Sequence, residues 1–177
     1  MVSTAAAERF LAAPVLAGLD SAARLALLNV LKEERTPAGA ILLRQGEPND
    51  HIAFLIEGTA TVFRTQARGD VETVTNLAAP TMFGLTSFFR PTPPSVSVRA
   101  TTDAWLLNID QGAHDLLRRV DLRAAEQLAV AAVRVLAEHF ELLDRRISDY
   151  LAEHADDHRK VTEWSDFRAR LFEESNL

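Results

Sequence analysis

The sequence predicts a mainly β domain with flanking helices: N-terminal helices, a jelly roll or β-roll of short strands, and a long C-terminal helix. Three observations predict it. Between Glu34 and Asp110 the apolar residues fall into short β-rich runs separated by closely spaced turn residues. On either side of that stretch the apolar spacing changes to the helical three and four. The 177 residues are 47% hydrophobic and 25% charged, an ordinary globular balance with enough length to bury a core.

Residues 4–12 form a short Ala-rich helix that stops before Pro14, because the residue preceding a proline avoids the α region. Asp20 caps a second helix from Ser21 to about Lys32, with Leu25, Leu28 and Leu31 on one face. Strand-like runs follow at Ile41–Leu43, Ile52–Ile56, Thr59–Phe63, Val71–Thr75, Ser95–Ala100 and Ala104–Ile109. Between them lie turn residues, among them Gly39, Gly46-Glu47-Pro48-Asn49-Asp50, Gly58 and Gly69-Asp70. Asp110 then caps a short helix, Gln111 to Val120, and Asp121 a long one from Leu122 to about Ala155.

Along the long helix Ala129, Val133, Leu136, Phe140, Leu143, Ile147, Tyr150 and His154 recur at alternating spacings of four and three. That is a heptad seam of about three and a half repeats, and it predicts pairing of two copies into a homodimer. Leu128, Val135 and Leu142 form a second apolar line, offset from the seam and available to pack on the strands. The charged His158-Arg159-Lys160 interrupts the pattern. Beyond it Val161, Trp164, Phe167, Leu171 and Phe172 mark an amphipathic tail suited to docking a protein partner. The expected organisation is one domain over 1–160, with helices in 4–32, a β-roll in 34–110 and C-terminal helices in 111–158, plus the tail 161–177.

Motif order resembles one family. Gly39-x-x-Leu42-x-x-x-Gly46-Glu47 followed by Phe54-x-x-x-Gly58 is similar to the β-roll signature of cyclic nucleotide-binding domains, and Pro14 to Asp20 resembles the lead-in that precedes it. The run from Met82 to Ala100 resembles that family's phosphate-binding cassette: Gly84 opens it, Pro93 precedes the position of its arginine, and Val98-Arg99-Ala100 closes it. The resemblance, which is to the catabolite-activator (Crp/Fnr) type, implies a β-roll, dimerisation through the long helix and an effector bound by the cassette. It implies that Phe83, Gly84, Leu85, Thr86, Ser87, Pro94, Ser95 and Arg99 lie at the ligand site. It also shows a departure. The glutamate that grips the ribose in the family is Leu85, and the arginine that neutralises the cyclic phosphate is Pro94. Proline removes both the guanidinium and a backbone donor. Losing a charge-assisted hydrogen bond of roughly 1.5–3 kcal/mol weakens binding about 10–200-fold.

Other chemistry finds no support. Net charge is −6, so no overall field draws the chain to nucleic acid. The stretch after the long helix is too short for the winged helix-turn-helix that reads DNA in Crp/Fnr regulators. Cysteine is absent, which excludes disulfides, thiol nucleophiles and Cys-ligated metal. No apolar run reaches the roughly 18 residues of a membrane span, and with no signal peptide visible the expected location is the cytoplasm. His154 and His158 share a helical face but lack a third ligand, so no metal is expected. The sequence holds no G-x-S-x-G, Walker A, Rossmann or H-E-x-x-H motif, so a catalyst is not expected. No cofactor is assigned. A small effector, cyclic nucleotide-like or apolar, is compatible with the β-roll. The expected function is therefore a regulatory sensor without normal cAMP or cGMP affinity, acting in trans through its long helix. A ligand-free dimeric scaffold and a genuine cyclic mono- or dinucleotide receptor are the alternatives.

Overall fold

A computed structural model describes residues 2–153 and resolves five α-helices and eight strands among them. Helix α1 (Thr4–Leu11) begins at Ser3, whose hydroxyl accepts the Ala6 N–H. A 3-10 turn at Pro14–Leu16 leads to α2 (Ser21–Leu28), capped by the Asp20 carboxylate on the Ala23 N–H at 2.8 Å. This helix is four residues shorter than its pattern suggests, because Lys32 already belongs to a strand. Its buried line is Ala23, Leu27 and, past its end, Leu31, while Leu25 is exposed. The i, i+4 ladder, and not the spacing of the leucines, selects the inner face.

The strands form two four-stranded antiparallel sheets. One orders β1 (Lys32–Thr36), β8 (Ala104–Asp110), β3 (His51–Glu57) and β6 (Thr81–Phe83). The other orders β2 (Ile41–Leu43), β7 (Ser97–Ala100), β4 (Thr59–Thr65) and β5 (Val71–Ala78). Strand alternation gives every buried strand two faces. Ala53 and Leu55 of β3, Leu106 of β8, Val62 of β4 and Val98 of β7 meet Leu43 and Phe83 in the roll interior. The alternate residues Phe54, Leu107 and Ile109 are equally buried and form a second layer with the helices, where the Phe10 ring meets Phe54 edge-on at 5.2 Å.

Strand β1 has no apolar alternation, since its sequence is Lys-Glu-Glu-Arg-Thr. Its register against β8, Lys32↔Asn108 to Thr36↔Ala104, gives each charge a task. Glu33 accepts the Ser3 N–H at 2.6 Å and the Trp105 indole N–H at 2.9 Å. The Arg35 guanidinium lies 3.7 Å from the Trp105 ring centre, a cation–π contact. Charges on an edge strand also discourage pairing with other sheets.

After β8 come α4 (Gln111–Val120) and α5 (Leu122–Glu153). The compact unit that holds the roll extends to Val135, and Leu136 onward forms a second unit. In the first unit Ala124, Ala125, Leu128, Ala131, Ala132 and Val135 bury one face of α5. Asp20 ties α5 to the start of α2: Gln127 accepts its N–H at 2.8 Å and donates to its carboxylate at 3.0 Å, and Arg123 pairs with the same carboxylate at 3.1 Å. Val133, at the end of this unit, is 63% exposed. In the second unit Leu136 and Ile147 are half-buried, whereas Phe140 and Leu143 are 63% and 55% exposed. The side chain of Tyr150 and the residues His154, His158, Trp164, Phe167 and Leu171 lie outside the described residues.

Candidate functional site

The cassette between β6 and β7 starts at Gly84, whose φ of +84° is left-handed. A Cβ there would stand 2.7 Å from the His51 carbonyl oxygen. Both facts require glycine. The five-residue helix α3 (Leu85–Phe89) follows, then a Pro-rich loop that rejoins the sheet at Ser97. Geometry leaves the first-turn N–H groups of α3 without acceptors inside the helix.

Neighbouring side chains fasten this unit. Asn49, from the β2–β3 turn, donates to the His51 carbonyl at 2.8 Å and to the Ser87 hydroxyl at 3.0 Å, while Ser87 donates to the Gly84 carbonyl at 3.2 Å. The Asn49 carbonyl oxygen is buried and has no hydrogen-bond partner among the described residues. At the far end, Gln111 of α4 donates to the Phe88 carbonyl at 2.8 Å. The loop is held by the same turn: Gly46 N–H meets the Pro94 carbonyl at 2.9 Å and Gln45 N–H meets the Ser97 hydroxyl at 2.9 Å.

The sequence-predicted site residues separate into three places. Phe83, Leu85 and Pro94 are buried, with Phe83 inside the roll and Leu85 only 3% exposed. Ser87 is buried beside Gly84, and its hydroxyl is engaged by Asn49 and the Gly84 carbonyl. Thr86, Ser95 and Arg99 are exposed. Arg99 alternates with the inward Val98, so it occupies the outer face of its sheet, where its guanidinium lies 4.7 Å from the Phe63 ring centre. The structure thus brings Gly84, Leu85 and Ser87 together and leaves Arg99 on the other side of the sheet from the interior.

Asn49, Gln45, Gln111 and His114 are site residues that sequence reasoning passes over. Asn49 and Gln45 look like turn residues, and Gln111 and His114 like an ordinary helix start. Only the folded contacts give them roles. His114 is half-buried against Phe88, 5.3 Å between ring centres, and Phe89, 6.1 Å. Burial first, and then Arg118, lower its pKa below the ordinary 6.5, against a smaller opposing pull from Asp115.

The resulting site has an apolar wall, a short helix start and no ionised side chain at the two positions where the resemblance implies them. Among the described residues no cluster of His, Asp or Glu could hold a metal ion. A separate cleft of about 230 Å³ opens beside Arg35, Glu57, Asp103 and Trp105 and includes no cassette residue.

Two antiparallel sheets closing on an apolar interior, with a helix-and-loop cassette between β6 and β7 and a helical exit, define a β-roll domain. The model of the cyclic nucleotide-binding domain matches residues 33–121, half of the chain, and the protein belongs to that family. The chain is 32% identical over 98 residues to a cyclic nucleotide-gated potassium channel of Rhizobium etli, a match covering 55% of this chain and 26% of the channel. It is 24% identical over 139 residues to a CRP-like cAMP-activated global transcriptional regulator of Mycobacterium tuberculosis, covering 78% and 60% respectively. It therefore spans less than two thirds of either relative. Among solved structures, a cyclic nucleotide-binding domain from Methylobacillus flagellatus superposes with a TM-score of 0.75 over 81% of this chain and 83% of that one, at 17% identity. No helix among the described residues is long and apolar enough to cross a membrane.

Proposed function

We propose that this protein is a non-catalytic regulatory module whose cassette no longer holds cAMP or cGMP tightly and whose output is the exposed stripe of α5. The carrying observation is the state of the two positions where the resemblance places the nucleotide's polar contacts. Leu85 is buried, and Pro94 is buried with its carbonyl occupied by Gly46. Neither offers an acceptor for a ribose hydroxyl or a cation for a phosphate. Arg99, the cation within the closing strand β7, lies against Phe63 on the outer face. The outward Val133, Phe140 and Leu143 favour a second copy of the chain as the immediate partner of α5. A further protein then reads the dimer in trans.

Calorimetry on the full chain with cAMP and cGMP tests the first part. The expected result is no saturable binding tighter than about 100 μM, near −5.5 kcal/mol. Pro94→Arg restores one charge-assisted bond and is expected to raise affinity for cAMP about 10–200-fold, measured by competition with a fluorescent analogue. Binding of cAMP to the unaltered chain at about 1 μM or tighter overturns the reading.

A further inference from the structure

The end of the cassette helix is held by a cluster that the nucleotide reading does not use. Gln111 opens α4, with its backbone N–H on the Asp50 carbonyl at 3.0 Å and its side chain on the Phe88 carbonyl at 2.8 Å. One turn later His114 meets the Phe88 and Phe89 rings, which themselves stand edge-on at 5.2 Å. Three rings from α3 and α4 thus close one contact, and one of them can take up a proton near neutral pH.

We propose that the α3–α4 contact is a proton-sensitive latch: neutral His114 holds the cassette helix against α4, and its protonation loosens that hold. The proposal does not depend on which ligand, if any, the cassette takes. An imidazolium among two phenyl rings met edge-on loses hydration that the rings replace only in part. Arg118, four residues on along the same helix, repels it, and Asp115 offsets part of that repulsion. α3 itself supplies no titratable side chain; the exposed Arg90 follows it directly. At the start of α4, Asp110 is already paired with Lys32, and Asp50 faces His51 at 3.3 Å. The direction follows from linkage. Because burial lowers the folded value below 6.5, the latch is at full strength above that pH and weakens as pH falls below it, the unfolded chain taking the proton first.

Amide hydrogen exchange on the full chain, corrected for intrinsic rates, tests this at about pH 7.5 and about pH 5.5. The amides to follow are those of Phe88 and Arg90, bonded to the Gly84 and Thr86 carbonyls. Their protection, relative to β3 and β8 amides, is expected to fall roughly threefold or more at the lower pH. His114→Phe is expected to remove that pH dependence, and His51→Gln to keep it. Should His114→Phe not fold, the His114 imidazole resonances of the unaltered chain decide, with a midpoint below 6.5 expected. A pH-independent protection ratio, a pH dependence retained in His114→Phe or lost in His51→Gln, or a midpoint at or above 6.5 overturns the latch.

Discussion

Gly84 and Leu85 show how neighbouring residues answer to different constraints. Gly84 is constrained by backbone: a side chain there meets both a left-handed φ and the His51 carbonyl. Gly84→Ala is expected to destabilise the fold by about 1–2 kcal/mol or more in urea denaturation. A loss under about 0.5 kcal/mol, the range of an ordinary surface change, counts against that account. Leu85 is constrained by packing, since α3 turns it onto the apolar side while Thr86 faces water. Asp110 is constrained by charge. Its hydrogen bond from Lys32, and next its cap on the Ala113 N–H, hold its carboxyl below the ordinary 3.8. A depressed carboxylate stabilises the fold above its unfolded value, and that contribution disappears as pH falls through the folded value. Asp110→Asn is therefore expected to flatten the acid limb of a stability-against-pH curve below about pH 4 and to lower stability at neutral pH. An unchanged acid limb argues that Lys32 and the cap contribute nothing.

At the scale of elements, the line Leu128, Val135 and Leu142 of α5 is buried only in the first unit, and Leu142, in the second, is 38% exposed. Leu128 and Val135 are buried, together with four alanines that let the helix approach closely. Val133, Phe140 and Leu143 of the heptad seam are exposed. A seam left to water favours self-association, because burying each such side chain against a partner is worth roughly 1.5–3 kcal/mol. The double variant Phe140→Asp, Leu143→Asp is expected to halve the mass seen by analytical ultracentrifugation while leaving the circular dichroism of the roll intact. A dimer that survives both charges assigns the stripe to something other than self-pairing. The long helix was legible in the sequence because apolar residues recurring at spacings of three and four mark a helical period. β1 and β6 were not legible: the first carries charges on both faces, and the second is a short run between Pro80 and Gly84 with a single β-branched residue, Thr81. Each exists because a neighbouring strand supplies its ladder, β8 for the first and β3 for the second.

For the molecule as a whole, a ligand that binds only the folded state raises its stability with the logarithm of its concentration over Kd, by about 2.7 kcal/mol at a hundredfold excess. At about 100 μM cAMP, a Kd weaker than about 100 μM leaves less than about 0.4 kcal/mol of stabilisation, so the melting temperature is expected to move by no more than about 1–2 °C. A rise of several degrees contradicts the proposed function at this scale, independently of calorimetry. The fold gives that experiment its meaning. Asn49 and Gln111 fasten the cassette helix α3 at Ser87 and at the Phe88 carbonyl. Because Gln111 is the first residue of α4, a packing change at α3 bears directly on the start of that helix.

By itself the sequence determined the family-level architecture. Strand alternation, glycines at forced turns and the heptad seam are local patterns, and local patterns are set by backbone geometry and side-chain period. It also determined that Leu85 and Pro94 stand where a carboxylate and a guanidinium are expected. Only the tertiary structure decided where the remaining polar groups point. Whether Arg99 lies inside the roll or outside depends on the register of β7 against β4, which pairs Thr61 with Arg99 and Val62 with Val98. The partners of Ser87, Phe88 and Pro94 come from residues far away in sequence, in the β2–β3 turn and α4. Such contacts have no sequence period, because they arise where separate elements meet.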